Sequence, residues 1–337
     1  MLYVTTRNNR DAFTANRAMR EERCPDGGFY VPFRKPRLTQ EDVETLAGRT
    51  FNQNVADALN LMFNTKLTCD EIDFCIGKNP VRIEVLRQRI ILAEAWHNTG
   101  WSLNRMVGAL SNLVCGQAVI PTDWMRIAVR VAVLFGVFGE LQRQGIACAD
   151  ISVVAGDFCG PISAWYARQW GLPVGNIVCC CNENNNLWDL LCHGQLRTDT
   201  VSMPTLVPEA DVTLPTDLER LIYECGGIPE AARYLEACRT GKAYFPNDAV
   251  LSRLRSGLYV SVVSSQRIEA TIPSAYRTHG YVMSPHSALA YAGLLDYRAK
   301  TGETGYAVVF SEKSPASDAQ TTAEALGIPA EKLKELL

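Results

Sequence analysis

The chain predicts an α/β fold in three layers, a mostly parallel sheet with helices on both faces. Two observations carry this expectation. Short apolar, β-branched runs alternate with helix-length amphipathic stretches, as parallel strands joined by helical crossovers require. One such unit, from Ile151 to Cys181, completes a strand, a helix and a second strand in about thirty residues, the length of a βαβ crossover.

In chain order, Trp124 to Gln144 is a helix whose middle is nearly all apolar, so it should be buried against the sheet. Ile151-Ser152-Val153-Val154-Ala155 is a strand, and Gly156 to Gly160 is a turn. Pro161 suits a first helical position, and Ile162 to Trp170 continues as helix until Gly171-Leu172-Pro173 stops it. Asn176 to Cys181 is the next strand. Asn182 to Asn186 is either a strand-end turn that caps a helix starting near Leu187 or a set of ligand contacts. Met203 to Pro215, with three prolines, is an ordered crossing loop. Asp217 to Cys225 is a helix capped by Thr216, with Glu219 closing a capping box, and Pro329 to Leu337 is a short terminal helix.

Composition narrows the function. Hydrophobic residues are 47% and charged residues 20%, with 33 basic against 36 acidic side chains, so neither disorder nor a polyanion partner is indicated and nucleic acid is excluded. The longest strongly apolar stretch, Val131 to Gly139, is far short of the roughly 18 to 20 residues a bilayer requires. The first residues lack the pattern of a secretory signal, so the expected location is cytoplasmic, without a membrane partner, and the twelve cysteines are expected as thiols. Cys179-Cys180-Cys181 sits in a strand, where adjacent side chains point to opposite faces. Three such thiols cannot converge on one metal ion, so they belong to core packing and no metal is expected.

Several segments, in one order along the chain, resemble threonine synthases, the pyridoxal-phosphate enzymes of fold type II that convert phosphohomoserine to threonine. Tyr3-Val4-Thr5-Thr6-Arg7 and Pro25-Asp26-Gly27-Gly28-Phe29-Tyr30-Val31-Pro32 are similar to that family's YxSTRG and PDGGLYVP. Ile120-Pro121-Thr122-Asp123-Trp124-Met125-Arg126 resembles NSINWxR. Gly156-Asp157-Phe158, Trp165-Tyr166-Ala167, Gly171-Leu172-Pro173 and Asn182-Glu183-Asn184 resemble GNFG, GYYA, GLP and NEN. Leu218 to Tyr223 matches FERLLY, and Pro285-His286-Ser287-Ala288 matches PHTA. The resemblance implies a large α/β domain at residues 121–337, a remnant of the family's small domain at 81–120 and an N-terminal segment at 1–80. The small domain is strongly truncated, because only Met106 to Val119 separate two motifs that the family holds a domain apart.

The departures from the family bear on chemistry. The lysine that carries the cofactor lies in the family's ELFHGPTLAFKD, and the counterpart here, Glu94 to Arg105, puts Asn104 at its position. An amide cannot form a Schiff base. The family's phosphate loop becomes Gly156-Asp157-Phe158-Cys159-Gly160, so Asp157 sets a carboxylate beside a phosphate dianion, at a cost of about 4 kcal/mol for a like-charge pair 4 Å apart. Glu312 stands where the family's threonine faces the pyridine nitrogen, and a glutamate could pair with a pyridinium. The degenerate cofactor set is therefore Gly156, Asp157, Phe158, Cys159, Gly160 and Glu312.

Two further residues are candidates for chemistry. His97 is either a leftover active-site base or a histidine hydrogen-bonded near the core. Cys159, at a helix N-terminus in a glycine-flanked turn, should have a lowered pKa and thiolate character, although Asp157 opposes this. The expected function is that of a threonine synthase-like protein without pyridoxal-phosphate catalysis, a binding or regulatory homologue. The alternatives are an active pyridoxal-phosphate lyase using a displaced lysine and a cofactor-free cysteine enzyme. No cofactor is expected, pyridoxal phosphate entering only non-covalently, and the partners expected are a small anionic metabolite and a second copy in a homodimer.

Overall fold

The computed structural model describes residues 1–98 and 102–337; Thr99, Gly100 and Trp101, inside the Glu94 to Arg105 motif, lie outside the described residues. The chain opens with a small antiparallel sheet of β1 (Leu2–Thr5), β2 (Phe13–Thr14) and β3 (Tyr30–Pro32), with α1 (Ala15–Arg20) between the last two. Helices α2 (Gln40–Ala47), α3 (Phe51–Phe63) and α4 (Cys69–Ile76) follow. Each of these three begins at a threonine whose hydroxyl accepts the N3 amide while the N3 side chain returns to the cap, which satisfies otherwise orphan donors at both positions.

A hairpin of β4 (Arg82–Val85) and β5 (Ile90–Glu94) leads to α5 (Leu103–Cys115) and α6 (Asp123–Arg143). Then β6 (Ala149–Val154), α7 (Cys159–Gln169), β7 (Val174–Cys181) and α8 (Asn186–His193) form the crossover region. The rest is α9 (Leu218–Thr240), α10 (Asp248–Arg255), β8 (Leu258–Val262), α11 (Ser265–His279), α12 (Pro285–Thr301), β9 (Ala307–Ser311) and α13 (Ala319–Leu326). The main sheet has six strands in the order β4-β5-β9-β6-β7-β8; only the β4–β5 pair is antiparallel. The α/β class and the mostly parallel sheet predicted from the sequence are therefore present.

Alternation along the strands builds two cores. On β9, Val308 and Phe310 face the core that contains α3, α6 and α7, whereas Ala307 and Val309 face the one formed with α11 and α12. The three consecutive cysteines obey the same rule: Cys179 and Cys181 enter the first core and Cys180 the second, all buried. Gly293 lets α12 lie against the sheet there, since a Cβ on it would sit 2.3 Å from the Cys180 sulfur. All twelve cysteines are free. Among the described residues, no helix is long and apolar enough to cross a membrane.

Three local expectations need correction. The division at residues 80 and 120 cuts across the main sheet, because β4 and β5 join it through the β5–β9 ladder. Helix α9 starts at Leu218 with Asp217 as its cap residue and no side-chain cap bond, so the box of Thr216 and Glu219 does not form. Glu219 is instead buried as an acceptor for the Thr6 hydroxyl, with Arg7 3.7 Å away. The helix continues to Thr240 across a break at Gly227. Likewise no asparagine side chain caps α8. Asn182 and Asn184 turn to the crossing loop, each donating to Asp211 Oδ1, with Thr205 Oγ1 and the Met203 carbonyl as their second acceptors.

Candidate functional site

The carboxyl ends of β6 and β9 open into a cavity of about 440 Å³, the place in a parallel sheet where backbone ends and helix N-termini converge. Four elements supply its working groups. Arg126 and Arg130 lie one turn apart on α6 and so share a face. Gly156 and Asp157 come from the turn between β6 and α7, Glu312 and Lys313 follow β9 directly, and His286 is the second residue of α12. Asn104 reaches the cavity because α5 is stitched to the end of β9: the Leu103 amide donates to the Glu312 carbonyl at 2.8 Å, and Ser102 bridges to Lys313. Glu209 arrives on a 3-10 turn, Pro208–Ala210, within the crossing loop. Gly156 admits that turn, since a Cβ on it would meet the Glu209 carbonyl oxygen at 2.9 Å and its φ is +44°.

Each of the three cations in the lining meets a carboxylate. Arg130, 5% exposed, donates through Nη2 to Glu312 Oε2 at 3.0 Å and to Asn104 Oδ1 at 3.2 Å. Burial alone would depress its guanidinium, but Glu312 beside it holds it above its ordinary value. Arg126 pairs with Asp157, and with Asp123 at 3.6 Å. Lys313 Nζ lies 2.5 Å from Glu209 and 3.3 Å from Asp318. Burial lowers this amine, yet its bond to Glu209 more than offsets that and leaves it raised, so Lys313 is held as an ammonium.

Asp157 also acts on the backbone. Its Oδ1 accepts the Cys159 amide at 3.0 Å, so the first N–H group of α7 is taken by a carboxylate of the same chain. Phe158 reaches the left-handed region, at φ 73°, to make this turn, and its ring is fully buried. His286, 6% exposed, also lines the cavity, and its Nδ1 is buried without a hydrogen-bond partner among the described residues. Burial pushes its imidazole below the usual histidine range, against the pull of Glu312 and Glu209.

The expected site residues divide accordingly. Asn104, Gly156, Asp157, Gly160 and Glu312 line one cavity. His97 is not among its described lining residues; its Nδ1 lies 3.2 Å from Glu94, which also accepts from the Tyr281 hydroxyl at 2.5 Å. Cys159 contradicts the expectation of thiolate character. It is 1% exposed, and burial pushes its thiol up to about 11; Arg130 and Arg126 act against this but do not overcome it. Asp157, Cys159 and Asp217 lie close enough together for a metal ion, but Arg126 and Arg220 already neutralise the two carboxylates. Sequence reasoning missed Arg130, Lys313 and Glu209 as site residues. A lone arginine four residues after Arg126 in an apolar helix was a readable signal for the first. Glu209 had none, since a loop residue carries no periodicity.

Comparison with known proteins agrees with the fold and motifs. The family described as "Threonine synthase N terminus" matches residues 2–79. Threonine synthase from Pseudomonas aeruginosa is 26% identical over 237 residues, which cover 66% of this chain and 50% of that protein. Threonine synthase-like 1 from Macaca fascicularis is 26% identical over 180 residues, 50% of this chain and 24% of the relative. The chain thus spans half or less of the length of these curated relatives. Among solved structures, pyridoxal-phosphate-bound threonine synthase from Brucella melitensis superimposes with a TM-score of 0.86 at 17% identity, covering 100% of this chain and 94% of the other, a likeness of fold. With its N-terminal segment matched and its ordered motifs retained, the chain is similar to the threonine synthases and shares their fold.

Proposed function

We propose that this chain is a threonine synthase-like binding protein without pyridoxal-phosphate-dependent turnover, and that its cavity holds a small zwitterionic metabolite. The observation that carries the reading is the pairing of all three lining cations with carboxylates of the chain itself. Pyridoxal phosphate does not fit these residues. Its phosphate would meet the Asp157 carboxylate, which already occupies the Cys159 amide and neutralises Arg126. Its aldehyde would meet the Asn104 amide, and Glu312, the candidate partner for its ring nitrogen, is committed to Arg130.

Balanced charge also disfavours the simple anion expected from the sequence, since a monopolar ligand would gain one charge contact and disrupt an ion pair. A molecule carrying both an ammonium and a carboxylate can insert between the members of a pair and satisfy both. A zwitterion of amino-acid size suits the cavity of about 440 Å³, with His286 Nδ1 as a further partner.

A second reading rests on Lys313, a lysine that folding brings into the cavity from outside the family's lysine motif. For Schiff-base chemistry its amine must be neutral, and Glu209 and Asp318 favour the ammonium instead.

One experiment separates the two. The full chain is incubated with pyridoxal phosphate, and its absorption spectrum and intact mass are taken before and after borohydride. The binding reading expects no retained chromophore and no added mass; a borohydride-fixed adduct mapped to Lys313 overturns it. A panel of common amino acids in a thermal-shift assay tests the ligand class, and failure of all of them to raise the midpoint counts against the zwitterion. The homodimer expected from the sequence belongs to the same proposal, and sedimentation showing only monomer at micromolar concentration removes it.

A further inference from the structure

We propose that a second pocket, between the tip of the β4–β5 hairpin and helices α11 and α12, binds a small phosphate-bearing anion. This pocket encloses about 320 Å³ and shares no lining residue with the central cavity. The two differ in their electrostatics. The central cavity is lined by cations and carboxylates in pairs, whereas the described lining of this pocket contains Arg87, Arg267 and His279 and no carboxylate.

The hairpin tip is built to present Arg87. Gln88 and Arg89 adopt consecutive left-handed conformations, at φ 60° and 58°, which costs non-glycine residues energy and persists only where neighbours enforce it. Those neighbours are visible. Arg298 donates to the Gln88 carbonyl at 2.7 Å, and the Arg89 guanidinium lies over the Tyr306 ring, 5.6 Å from its centre. Arg298 and Arg89 are thereby committed. Among the described residues Arg87 has no ion-pair partner, and Arg267 has a loose contact, 3.7 Å from Asp296.

Helix α11 supplies the facing wall. Arg267, Ser274 and Thr278 recur at helical spacing on one face, so a guanidinium and two exposed hydroxyls point into the same pocket. His279 closes its end: Nε2 is in a 2.8 Å hydrogen bond with the Tyr291 hydroxyl, and Nδ1 is buried with no partner. Burial, together with the charge of Arg87, pushes this imidazole below its ordinary range, and the described lining sets no carboxylate against the two guanidiniums. Two guanidiniums, two hydroxyls and an imidazole are more donors than a carboxylate can engage; they suit the three terminal oxygens of a phosphate monoester.

The chain's four histidines give a direct readout. The full-length protein, labelled at its histidine rings, is titrated with inorganic phosphate while the four imidazole signals are followed by NMR; a His279→Gln variant assigns the one in question. The proposal expects the His279 signal alone to move, saturating with a dissociation constant of about 1 mM or tighter. Arg87→Gln and Arg267→Gln, both at exposed positions, should each weaken binding about ten-fold. A stationary His279 signal overturns the proposal. So does a response carried by His286, which would move phosphate to the central cavity, or one unchanged in Arg87→Gln.

Discussion

Arg130 donates to Asn104 from the same Nη2 that reaches Glu312, so the residue that the resemblance sets against the family's lysine is tied into a buried ion pair. Asn104→Lys should not restore cofactor chemistry. The new ammonium would lie next to a buried guanidinium at a like-charge cost of about 1 to 4 kcal/mol, and Asp157 would still face the phosphate. Chemical denaturation should show a lowered midpoint, and the spectrum with pyridoxal phosphate should remain without an aldimine band. An aldimine in this single variant would show that Asp157 is no barrier.

Asp157→Asn addresses that barrier itself. Removing the carboxylate leaves Arg126 with only Asp123, 3.6 Å away, so the cavity gains a positive charge. Calorimetric affinity for inorganic phosphate at this cavity should rise about ten-fold, a change of about 1.4 kcal/mol. The Arg126–Asp157 pair is about one-third exposed on each side, so stability should fall by no more than about 1 kcal/mol.

Glu312→Gln should be costly for folding. Arg130 is 5% exposed and its Nε already lacks a partner, so loss of Glu312 strands a buried charge. A destabilisation of about 3 kcal/mol is expected from the shift in urea midpoint. Arg239→Gln, in an exposed pair with Glu236, should change the same measurement by less than about 0.5 kcal/mol.

Alkaline pH should weaken the fold. Burial raises the thiol of Cys159 to about 11, and those of Cys180 and Cys225 to about 12, from an ordinary value near 9. For an acid whose pKa is higher when folded, the stabilisation is complete below the unfolded value and is lost as pH rises through the folded one. Stability should therefore be level up to about pH 9 and fall from there towards 12, by up to about 3 kcal/mol for Cys159 alone. Urea midpoints at stepped pH test this, and Cys159→Ala should flatten the first part of the decline. Near neutral pH the exposed Cys148 and Cys192 should alkylate well before Cys159.

The crossing loop that carries Glu209 depends on Asn184, which is buried and donates to the Met203 carbonyl and to Asp211, while its own Oδ1 accepts the Met203 amide. Asn184→Ala should cost about 1 to 3 kcal/mol and open residues 203–211 to proteolysis before the rest of the chain. Unchanged cleavage there would mean that Asn182 and Asp211 hold the loop by themselves.

Elements whose side chains follow a period were legible. The β-branched run at 151–155 and the apolar face of 124–144 became β6 and α6 because burial on a sheet fixes those patterns regardless of the rest of the chain. Caps and turns were less so. Glu219 fitted a capping box by spacing, but a buried bond to Thr6, 213 residues away, won over the local one. Cys159 looked like a thiolate because a helix terminus favours charge, and complete burial outweighed that.

By itself the sequence determined the α/β class and the family resemblance, since each is written in neighbouring residues. The tertiary structure alone decided that Arg130, Lys313 and Glu209 would complete the site and that its charges would cancel in pairs. Ion pairs form between whichever groups folding brings within a few ångströms. The three that join lining residues to one another connect positions 31 to 182 apart, a distance over which spacing carries no information.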